Sequence, residues 1–392
     1  MIEVKKNSKQ WQDGGAKNIV FIVTKDCQLA CKYCYLVGKN TNERMSWDVA
    51  KKAIDYILSD ENEFSQESVV WEFIGGEPFL EIDLIDKICD YLKTEMFRLN
   101  HHWFNSYRFS FSTNGINYNS DKVQAFIEKN RSHLSIGITI DGTERKHDLN
   151  RVYKGEDEKG SYKDVVKNIP LWLKQFPEGA TKVTISSADI PYIKESVLHL
   201  FDLGIHEVNI NCVFEDVWEE GDDKRFEDQL IQLADAIIDG DLYEKNACSF
   251  FSENLGKPLD CKLENQNWCG AGKMLAIDAM GNFYPCTRFA QYSLRNKKAM
   301  IIGNINDGID KNKVRPFLLL DRCTQSTQEC IDCEVAEGCA WCQGENYDAA
   351  DTNTIYQRST AICKMHKARV RANNYYWNKL YNKLDREEVK SC

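Results

Sequence analysis

The chain has 392 residues and a formal net charge of −10, and 43% of its residues are hydrophobic, as in ordinary globular proteins of two or more domains. The acidic balance argues against nucleic acid as a partner, because phosphate binding needs a basic surface. No apolar segment reaches membrane-spanning length and the first residues lack a signal peptide's apolar core, so we expect a cytoplasmic protein without a membrane partner.

Six strand–helix repeats are predicted along the first 240 residues, because short apolar runs alternate with segments whose apolar residues recur at helical spacing. The predicted strands span residues 18–23, 68–74, 107–112, 134–140, 182–186 and 208–214. The predicted helices span residues 47–58, with Ser46 as the N-cap, and 81–96, 120–129, 162–175, 192–203 and 224–239. Such repeats favour an α/β fold with a parallel sheet and right-handed crossovers.

Polar or glycine-rich motifs follow four successive strands of this set. In chain order they are the run Cys27-Gln-Leu-Ala-Cys31-Lys-Tyr33-Cys34, then Gly75-Gly76-Glu77-Pro78, then Ser112-Thr113-Asn114, then Asp141-Gly142. The carboxyl ends of the strands form the active face of α/β barrels, so we expect the four motifs to converge on one site. Each motif alone is compatible with an ordinary strand-to-helix turn, but four in succession favour a site.

The three cysteines of the first motif favour an iron–sulfur cluster over zinc. A closed [4Fe–4S] site or a structural zinc site uses four protein ligands. Three ligands on one short loop leave one metal corner open, and an open corner is where chemistry takes place.

Together these motifs resemble those of the radical S-adenosylmethionine (SAM) enzymes, over about residues 15–240. The family's C-x3-C-x-aromatic-C motif is matched by Cys27, Cys31, Tyr33 and Cys34, and its Gly-Gly-Glu element is matched at residues 75–77. The resemblance implies a partial (β/α)6 TIM-like barrel. It also implies a [4Fe–4S] cluster whose fourth iron is chelated by SAM, and one-electron cleavage of SAM to methionine and a 5′-deoxyadenosyl radical, which abstracts hydrogen from the substrate.

The resemblance also implies SAM contacts. Glycine permits close backbone approach to the SAM ammonium, and a bidentate guanidinium at Arg151 suits its carboxylate. Tyr33 would lie beside the adenine, and the hydroxyl and amide groups after the third strand suit the ribose or methionine. The alternatives are a plain turn, a packing aromatic, an Asx-turn or helix cap, and a surface arginine. The SAM-binding candidates are Tyr33, Gly75, Gly76, Glu77, Ser112, Thr113, Asn114, Asp141 and Arg151, with Asp141 also explicable as a cap.

Cysteines are concentrated in the second half of the chain, where nine of the sixteen lie between Cys261 and Cys363. In a reducing compartment this argues for metal binding rather than a disulfide scaffold. Their order resembles the SPASM extension, a cysteine-rich iron–sulfur domain behind radical SAM barrels. One gap differs from its pattern, because Cys339 and Cys342 are separated by two residues rather than three. The resemblance implies two auxiliary [4Fe–4S] clusters, one held by Cys330, Cys333, Cys339 and Cys363, the other by Cys269, Cys286, Cys342 and Cys261.

Zinc remains the alternative for this region, since paired C-x2-C motifs in a cytosolic protein often bind it. The other cysteines match no ligand position. We interpret Cys89 and Cys212 as packing residues and Cys323 as a loop thiol. The predicted domains are a lead-in at 1–17, the barrel at 18–240, the auxiliary-cluster domain at 241–365 and a C-terminal helix at 366–392, with the helix itself beginning near Lys364.

The resemblance implies a ribosomally made precursor peptide as substrate and a thioether crosslink as product, most similar to maturases of cysteine-rich peptides such as those with Cys-x-x-x repeats. Sulfatase-maturing enzymes, which make formylglycine, place an aspartate base where this chain has Thr287. Epimerisation and a non-catalytic electron carrier are further alternatives. About seventeen residues precede the first strand, so we expect the peptide to dock elsewhere or through a separate recognition protein. Flavodoxin or ferredoxin is the expected electron donor, and no residue is assigned as catalytic base.

Overall fold

The computed structural model describes residues 15–155, 157–260 and 269–391. Cys261 and Cys392 therefore lie outside the described residues. The chain divides into two compact units, each built from discontinuous segments. The first contains the described residues of Met1–Ala30, Cys34–Ile136 and Asn267–Leu320, and the second contains those of Cys31–Tyr33, Gly137–Gln266 and Asp321–Cys392.

Strands and helices alternate along the front half of the chain. The described strands are β1 (Ala16–Thr24), β2 (Ser68–Gly75), β3 (Tyr107–Thr113), β4 (Leu134–Ile138), β5 (Ala180–Ile185), β6 (Glu207–Cys212), β7 (Ala247–Cys248), β8 (Leu275–Ile277), β9 (Asn282–Tyr284), β10 (Gly303–Asn304) and β11 (Gly308–Ile309). The described α-helices are α1 (Trp47–Ser59), α2 (Ile82–Arg98), α3 (Asp121–Asn130), α4 (Glu144–Asn150), α5 (Tyr162–Val166), α6 (Ile169–Gln175), α7 (Ile193–Asp202), α8 (Asp222–Asp239), α9 (Lys311–Leu319), α10 (Arg322–Gln325), α11 (Gln328–Ile331), α12 (Gln343–Ala349) and α13 (Cys363–Ser391).

The six predicted strands and most predicted helices are confirmed, with ends that differ by up to about two residues, and the main differences are as follows. The predicted helix 162–175 is broken into α5 and α6, because Pro170 stands at the start of α6 and cannot donate a backbone hydrogen bond. The polar segment after β4 contains the unpredicted helix α4, capped by Thr143. The fourth and sixth strands end two residues early, at Ile138 and Cys212.

The first unit is organised around a sheet in which β1, β2 and β3 run parallel. Burial alternates along β2, where Trp71 and Phe73 are fully buried while Glu72 and Ile74 are half-buried. This is the pattern of a strand with one face packed on helices. Phe21 stacks on both buried rings, with centroids 6.1 Å and 5.8 Å away.

The cysteine-rich half of the chain contributes to this same sheet. Strand β8 pairs parallel with β1, and β9, β10 and β11 continue the sheet as an antiparallel edge. The sequence did not predict these strands, since each has only two or three residues and no readable periodicity.

The second unit contains the parallel sheet β5–β6–β7 and the long helix α13, which packs on α8. Ion pairs join the two helices, with Arg371 2.5 Å from Glu227 and Lys379 2.7 Å from Asp235. The rings of Trp377 and Tyr381 lie 5.6 Å apart, as i,i+4 neighbours. Among the described residues, no helix has both the length and the apolar character that crossing a bilayer requires.

Candidate functional site

Cys27 is placed by the end of β1 in the first unit and is 4% exposed. Its sulfur accepts a hydrogen bond from the Leu29 backbone N–H at 3.3 Å and from the Asn114 side-chain amide at 3.9 Å. Donors aimed at a cysteine sulfur favour the thiolate, which is the form that binds metal. The environment of Cys27 therefore suits a cluster ligand.

The paired glycines after β2 lie against the cysteine loop. The Gly76 N–H donates to the Thr24 carbonyl at 3.0 Å, and the Glu77 N–H donates to the Asp26 carbonyl at 2.9 Å. A Cβ on Gly76 would lie 2.1 Å from the Asp26 carbonyl oxygen and 2.9 Å from the Cys27 Cβ. The close approach that requires glycine at 76 is thus an approach to the cysteine loop, whereas the sequence led us to expect an approach to a ligand.

Glu77 ties two strand ends together from a position that is 1% exposed. One carboxylate oxygen accepts from the Thr113 hydroxyl at 2.6 Å and from the Phe79 N–H at 3.0 Å, and the other accepts from the Asn114 N–H at 2.7 Å. Ser112 precedes these residues at a half-buried position of β3, where buried and half-buried residues alternate. The second and third predicted motifs therefore meet in the first unit, as expected.

In the second unit, half-buried Tyr33 forms one cluster with the buried side chains of Asp141 and Arg151. The Tyr33 hydroxyl donates to Asp141 at 2.5 Å and accepts from Arg151 at 3.0 Å. Burial raises the pKa of Tyr33 well above its ordinary value, so the phenol stays protonated as the donor. Burial opposes the charged form of Asp141, but Lys146 and Arg151 outweigh it and hold the Asp141 pKa below its ordinary value.

Arg151 has a buried donor that no described residue satisfies. The residue is 6% exposed, and its Nε is buried without a hydrogen-bond partner among the described residues. Cys31, in the same unit, is one of the groups whose charge raises the Arg151 pKa against the effect of burial. An unsatisfied guanidinium nitrogen beside a cysteine of the loop is suited to an anionic ligand such as a carboxylate.

A cavity of about 470 Å³ lies in the second unit beside Tyr33. Asn150, Ser186 and Val213 line it, from the end of α4 and from the segments that follow β5 and β6. Sequence analysis did not single out these residues. The only available signal was position, since Ser186 and Val213 directly follow β5 and β6.

A fully buried lysine stabilises the same region. Lys146 Nζ donates to the Thr184 carbonyl at 2.9 Å and lies 3.5 Å from Asp189 and 3.9 Å from Asp141. Asp189 also accepts from the side chain of Asn150 at 2.8 Å. The positive charge of the lysine therefore offsets the free-energy cost of burying two negatively charged carboxylates.

Replacing Lys146 with methionine is expected to destabilise the protein by about 3–5 kcal/mol, because both carboxylates lose a buried cation while the side chain keeps its apolar volume. The matched control is Lys163→Met, whose side chain is 81% exposed and lies 3.2 Å from Glu144. It should change stability by no more than about 0.5 kcal/mol. Urea denaturation of both variants measures the difference, and equal stabilities would contradict the assigned role of Lys146.

Four cysteines of the C-terminal region belong to the second unit and act on one another electrostatically. Cys330 lies in α11, Cys363 begins α13, and His366 of α13 contacts the Val335 carbonyl at 2.5 Å. Burial raises the pKa of Cys363, and the neighbouring thiols of Cys330 and Cys333 raise it further. Burial likewise raises the pKa of the fourth thiol, Cys339, and the charge of Cys363 also acts to raise it.

A structural zinc site would require these thiols to converge closely. Four sulfurs at about 2.3 Å from one tetrahedral zinc lie only about 3.8 Å apart. Among the described residues, the one group of three metal-ligating side chains with atoms within 4.8 Å of one another is Glu61, His101 and His102. No three of the described cysteine sulfurs lie that close together, and the choice between zinc and an iron–sulfur cluster stays a prediction for this set.

The second auxiliary set is described in part. Cys269 and Cys286 belong to the first unit, where Gly272 donates to the carbonyl that precedes Cys286 at 2.9 Å, while Cys342 caps α12 in the second unit. The predicted fourth ligand, Cys261, lies outside the described residues. Cys323 is disulfide-bonded, so its interpretation as a loop thiol is wrong.

Residues 287 and 288 pack against Tyr35 in the first unit. The Arg288 guanidinium lies 4.3 Å from the centre of the Tyr35 ring. Burial raises the pKa of Tyr35 to about 12, although a hydrogen bond with Thr287 and the Arg288 charge act to lower it. No carboxylate stands at position 287, and the Thr287 hydroxyl is engaged by Tyr35.

Residues 21–187 match the family model described as the Radical SAM superfamily. An uncharacterized protein of Methanocaldococcus jannaschii is 29% identical over 303 residues, covering 77% of this chain and 92% of that protein. The serine-type anaerobic sulfatase-maturating enzyme of Bacteroides thetaiotaomicron is 23% identical over 301 residues, covering 69% of each chain.

Two solved structures show the fold. Native anSMEcpe with bound AdoMet and Cp18Cys peptide has a TM-score of 0.68 and 18% identity, covering 95% of this chain and 99% of that one. Streptococcus suis SuiB bound to precursor peptide SuiA has a TM-score of 0.57 and 14% identity, covering 88% of this chain and 75% of that one. The predicted α/β partial-barrel class is confirmed, with a C-terminal region rich in cysteines.

Proposed function

We propose that this chain, whose residues 21–187 match the radical SAM family model, is a radical SAM peptide maturase that forms thioether crosslinks. The observation that carries the radical SAM chemistry is the buried, unpartnered Nε of Arg151 beside the cysteine loop. The peptide substrate is supported by two similar structures that contain a bound peptide and by a relative named for maturing sulfatases.

The residues present fit the cofactors. Cys27, Cys31 and Cys34 would hold the cluster that binds SAM, with the Leu29 N–H and the Asn114 amide donating to the Cys27 sulfur. When bound, cluster and SAM supply a 5′-deoxyadenosyl radical that abstracts hydrogen. Arg151 would pair with the SAM carboxylate, and the cavity beside Tyr33 would receive the adenosyl portion.

The positioning of these groups depends on the chain's own contacts. Asp141, which follows β4, accepts a hydrogen bond from the Tyr33 hydroxyl, and Glu77, which follows β2, accepts one from Thr113 at the end of β3. These bonds hold the segments after β4 and β2 in place before any ligand binds. We assign Gly75, Gly76 and Glu77 to this positioning, while backbone groups of the same turn remain candidates for the SAM ammonium. Ser112, Thr113 and Asn114 remain candidates for contacts with the ribose or the methionine.

Thioether formation removes two hydrogens from the peptide, one from carbon and one from sulfur. The first leaves as a hydrogen atom, and the second leaves as a proton and an electron. The two auxiliary clusters at the C-terminal cysteines are the proposed acceptors of that electron. A flavodoxin or ferredoxin would supply the electron that cleaves SAM, and a separate recognition protein is the proposed route for presenting the peptide.

The decisive experiment is anaerobic co-expression with any short cysteine-containing peptide that is encoded next to this gene, followed by intact-mass analysis. We expect a loss of two hydrogens per crosslink and one thiol per link that no longer reacts with iodoacetamide. An unchanged mass with deuterium gained from heavy water would instead indicate epimerisation. An unmodified peptide despite SAM cleavage would contradict the crosslinking proposal.

Formylglycine formation is the second candidate, favoured by the sulfatase-maturating relative. Oxidation of serine to formylglycine also removes two hydrogens, so mass alone does not separate the two products. An aldehyde reacts with a hydrazide probe, whereas a thioether does not and consumes a thiol. Because position 287 is a threonine engaged by Tyr35, we expect no hydrazide labelling.

A further inference from the structure

The strongest unassigned feature is an arginine that donates to one of the auxiliary-cluster cysteines. Arg358 donates from one terminal nitrogen to the Cys339 sulfur at 3.5 Å and from the other to the Ser326 hydroxyl at 2.7 Å. The two bonds use both arms of the guanidinium and fix its plane against the sulfur. All three residues belong to the second unit.

We propose that Arg358 tunes the auxiliary cluster held by Cys330, Cys333, Cys339 and Cys363, raising its reduction potential so that it accepts an electron more readily. A cluster becomes more negative when it is reduced, and a cation that donates to a ligand sulfur stabilises that form more than the oxidised form. The inference rests on the auxiliary cluster in the proposed function.

A second arginine, which is buried, adds positive charge to the same side of the site. Arg322 is 7% exposed and donates to the Ala336 carbonyl at 2.7 Å, in the loop that leads to Cys339. The Cys339 side of the site is therefore flanked by two arginines, Arg358 at the sulfur and Arg322 at the loop that leads to it.

Ser326 makes the arrangement specific to arginine. It follows α10, whose N-cap Asp321 accepts from the Thr324 N–H at 2.7 Å. A lysine ammonium would keep the charge but could not span the Ser326 hydroxyl and the Cys339 sulfur in one plane. Arg358 is thus a positioning and tuning residue that acts through the cluster ligand and needs no contact with substrate.

The test is an anaerobic redox titration of the reconstituted full chain, followed by electron paramagnetic resonance, in a background of Cys27→Ala, Cys31→Ala and Cys34→Ala. In this background only the auxiliary clusters contribute to the paramagnetic resonance signal. In Arg358→Gln we expect one midpoint potential to fall by about 59 mV, which corresponds to a tenfold change in the one-electron equilibrium. Arg358→Lys should shift the same signal in the same direction by less.

The matched control is Arg98→Gln, which removes an exposed arginine that pairs with Glu95 within α2. It should leave every midpoint unchanged. If Arg358→Gln loses iron, the midpoint potential of Arg358→Lys provides the test instead. Unchanged midpoints in the iron-replete Arg358 variants would overturn the inference and leave the proposed function intact. Cys339→Ala should remove the signal that shifts, and full iron content in that variant would instead contradict the cluster assignment.

Discussion

Replacing Cys31 with alanine is expected to abolish reductive cleavage of SAM while the auxiliary clusters remain. The variant lacks one of three thiolates, so the cluster that would bind SAM cannot be held, and iron content should fall by one cluster's worth. The C-terminal cysteines lie outside the loop that carries Cys27, Cys31 and Cys34, so the clusters that they hold should keep their iron. Iron analysis and the yield of 5′-deoxyadenosine under dithionite measure both effects.

Cys89→Ala is the matched control for this experiment. Cys89 is fully buried in α2, and burial raises the pKa of its thiol well above the ordinary value, as in a packing residue. The control should retain both iron and SAM cleavage. Cleavage that persists in Cys31→Ala would show that the site is elsewhere, and cleavage lost in both variants would show only that cysteine replacement unfolds the chain.

Local signals in the sequence predicted the elements of this fold well. Ser46 is the N-cap of α1 as expected, with its hydroxyl accepting from the Val49 N–H at 3.2 Å. The signals failed where the outcome depends on distant residues. Strand β8 has three residues, and only its pairing with β1 makes it a strand. The same limit explains Lys146, whose partner Asp189 lies 43 positions further along the chain.

The candidate site, like the fold, was predicted in part. The cysteine motif was predicted from residue type and spacing and Arg151 from the family resemblance, and the structure places Arg151 with an unsatisfied buried nitrogen. The roles of Glu77 and Gly76 were not predictable, because motif identity does not reveal what each atom contacts. Three internal donors occupy the Glu77 carboxylate, so the motif indicates a ligand contact whereas the structure shows a residue that ties two strand ends together.

Gly76→Ala separates these two interpretations. A Cβ at this position would collide with the Asp26 carbonyl at 2.1 Å, so the loop that carries Cys27 must move or the strand end must retreat. A displacement of about 1 Å at a reacting centre can cost on the order of a hundredfold in rate. We therefore expect SAM cleavage to fall by about that factor, together with lower occupancy of the cluster at Cys27.

Gly155→Ala provides the control for that result, since Gly155 has φ +134° and no atom lies within 4 Å of the point where an alanine Cβ would stand. It introduces backbone strain without a collision and should leave cleavage within about twofold of the wild type, because Gly155 is exposed and an added Cβ would meet no other atom. If Gly76→Ala keeps its iron and raises only the KM for SAM, the glycine serves ligand approach and our packing interpretation is wrong. If iron and rate fall together, the glycine is required because two strand ends and a cysteine loop share the space that a side chain would fill.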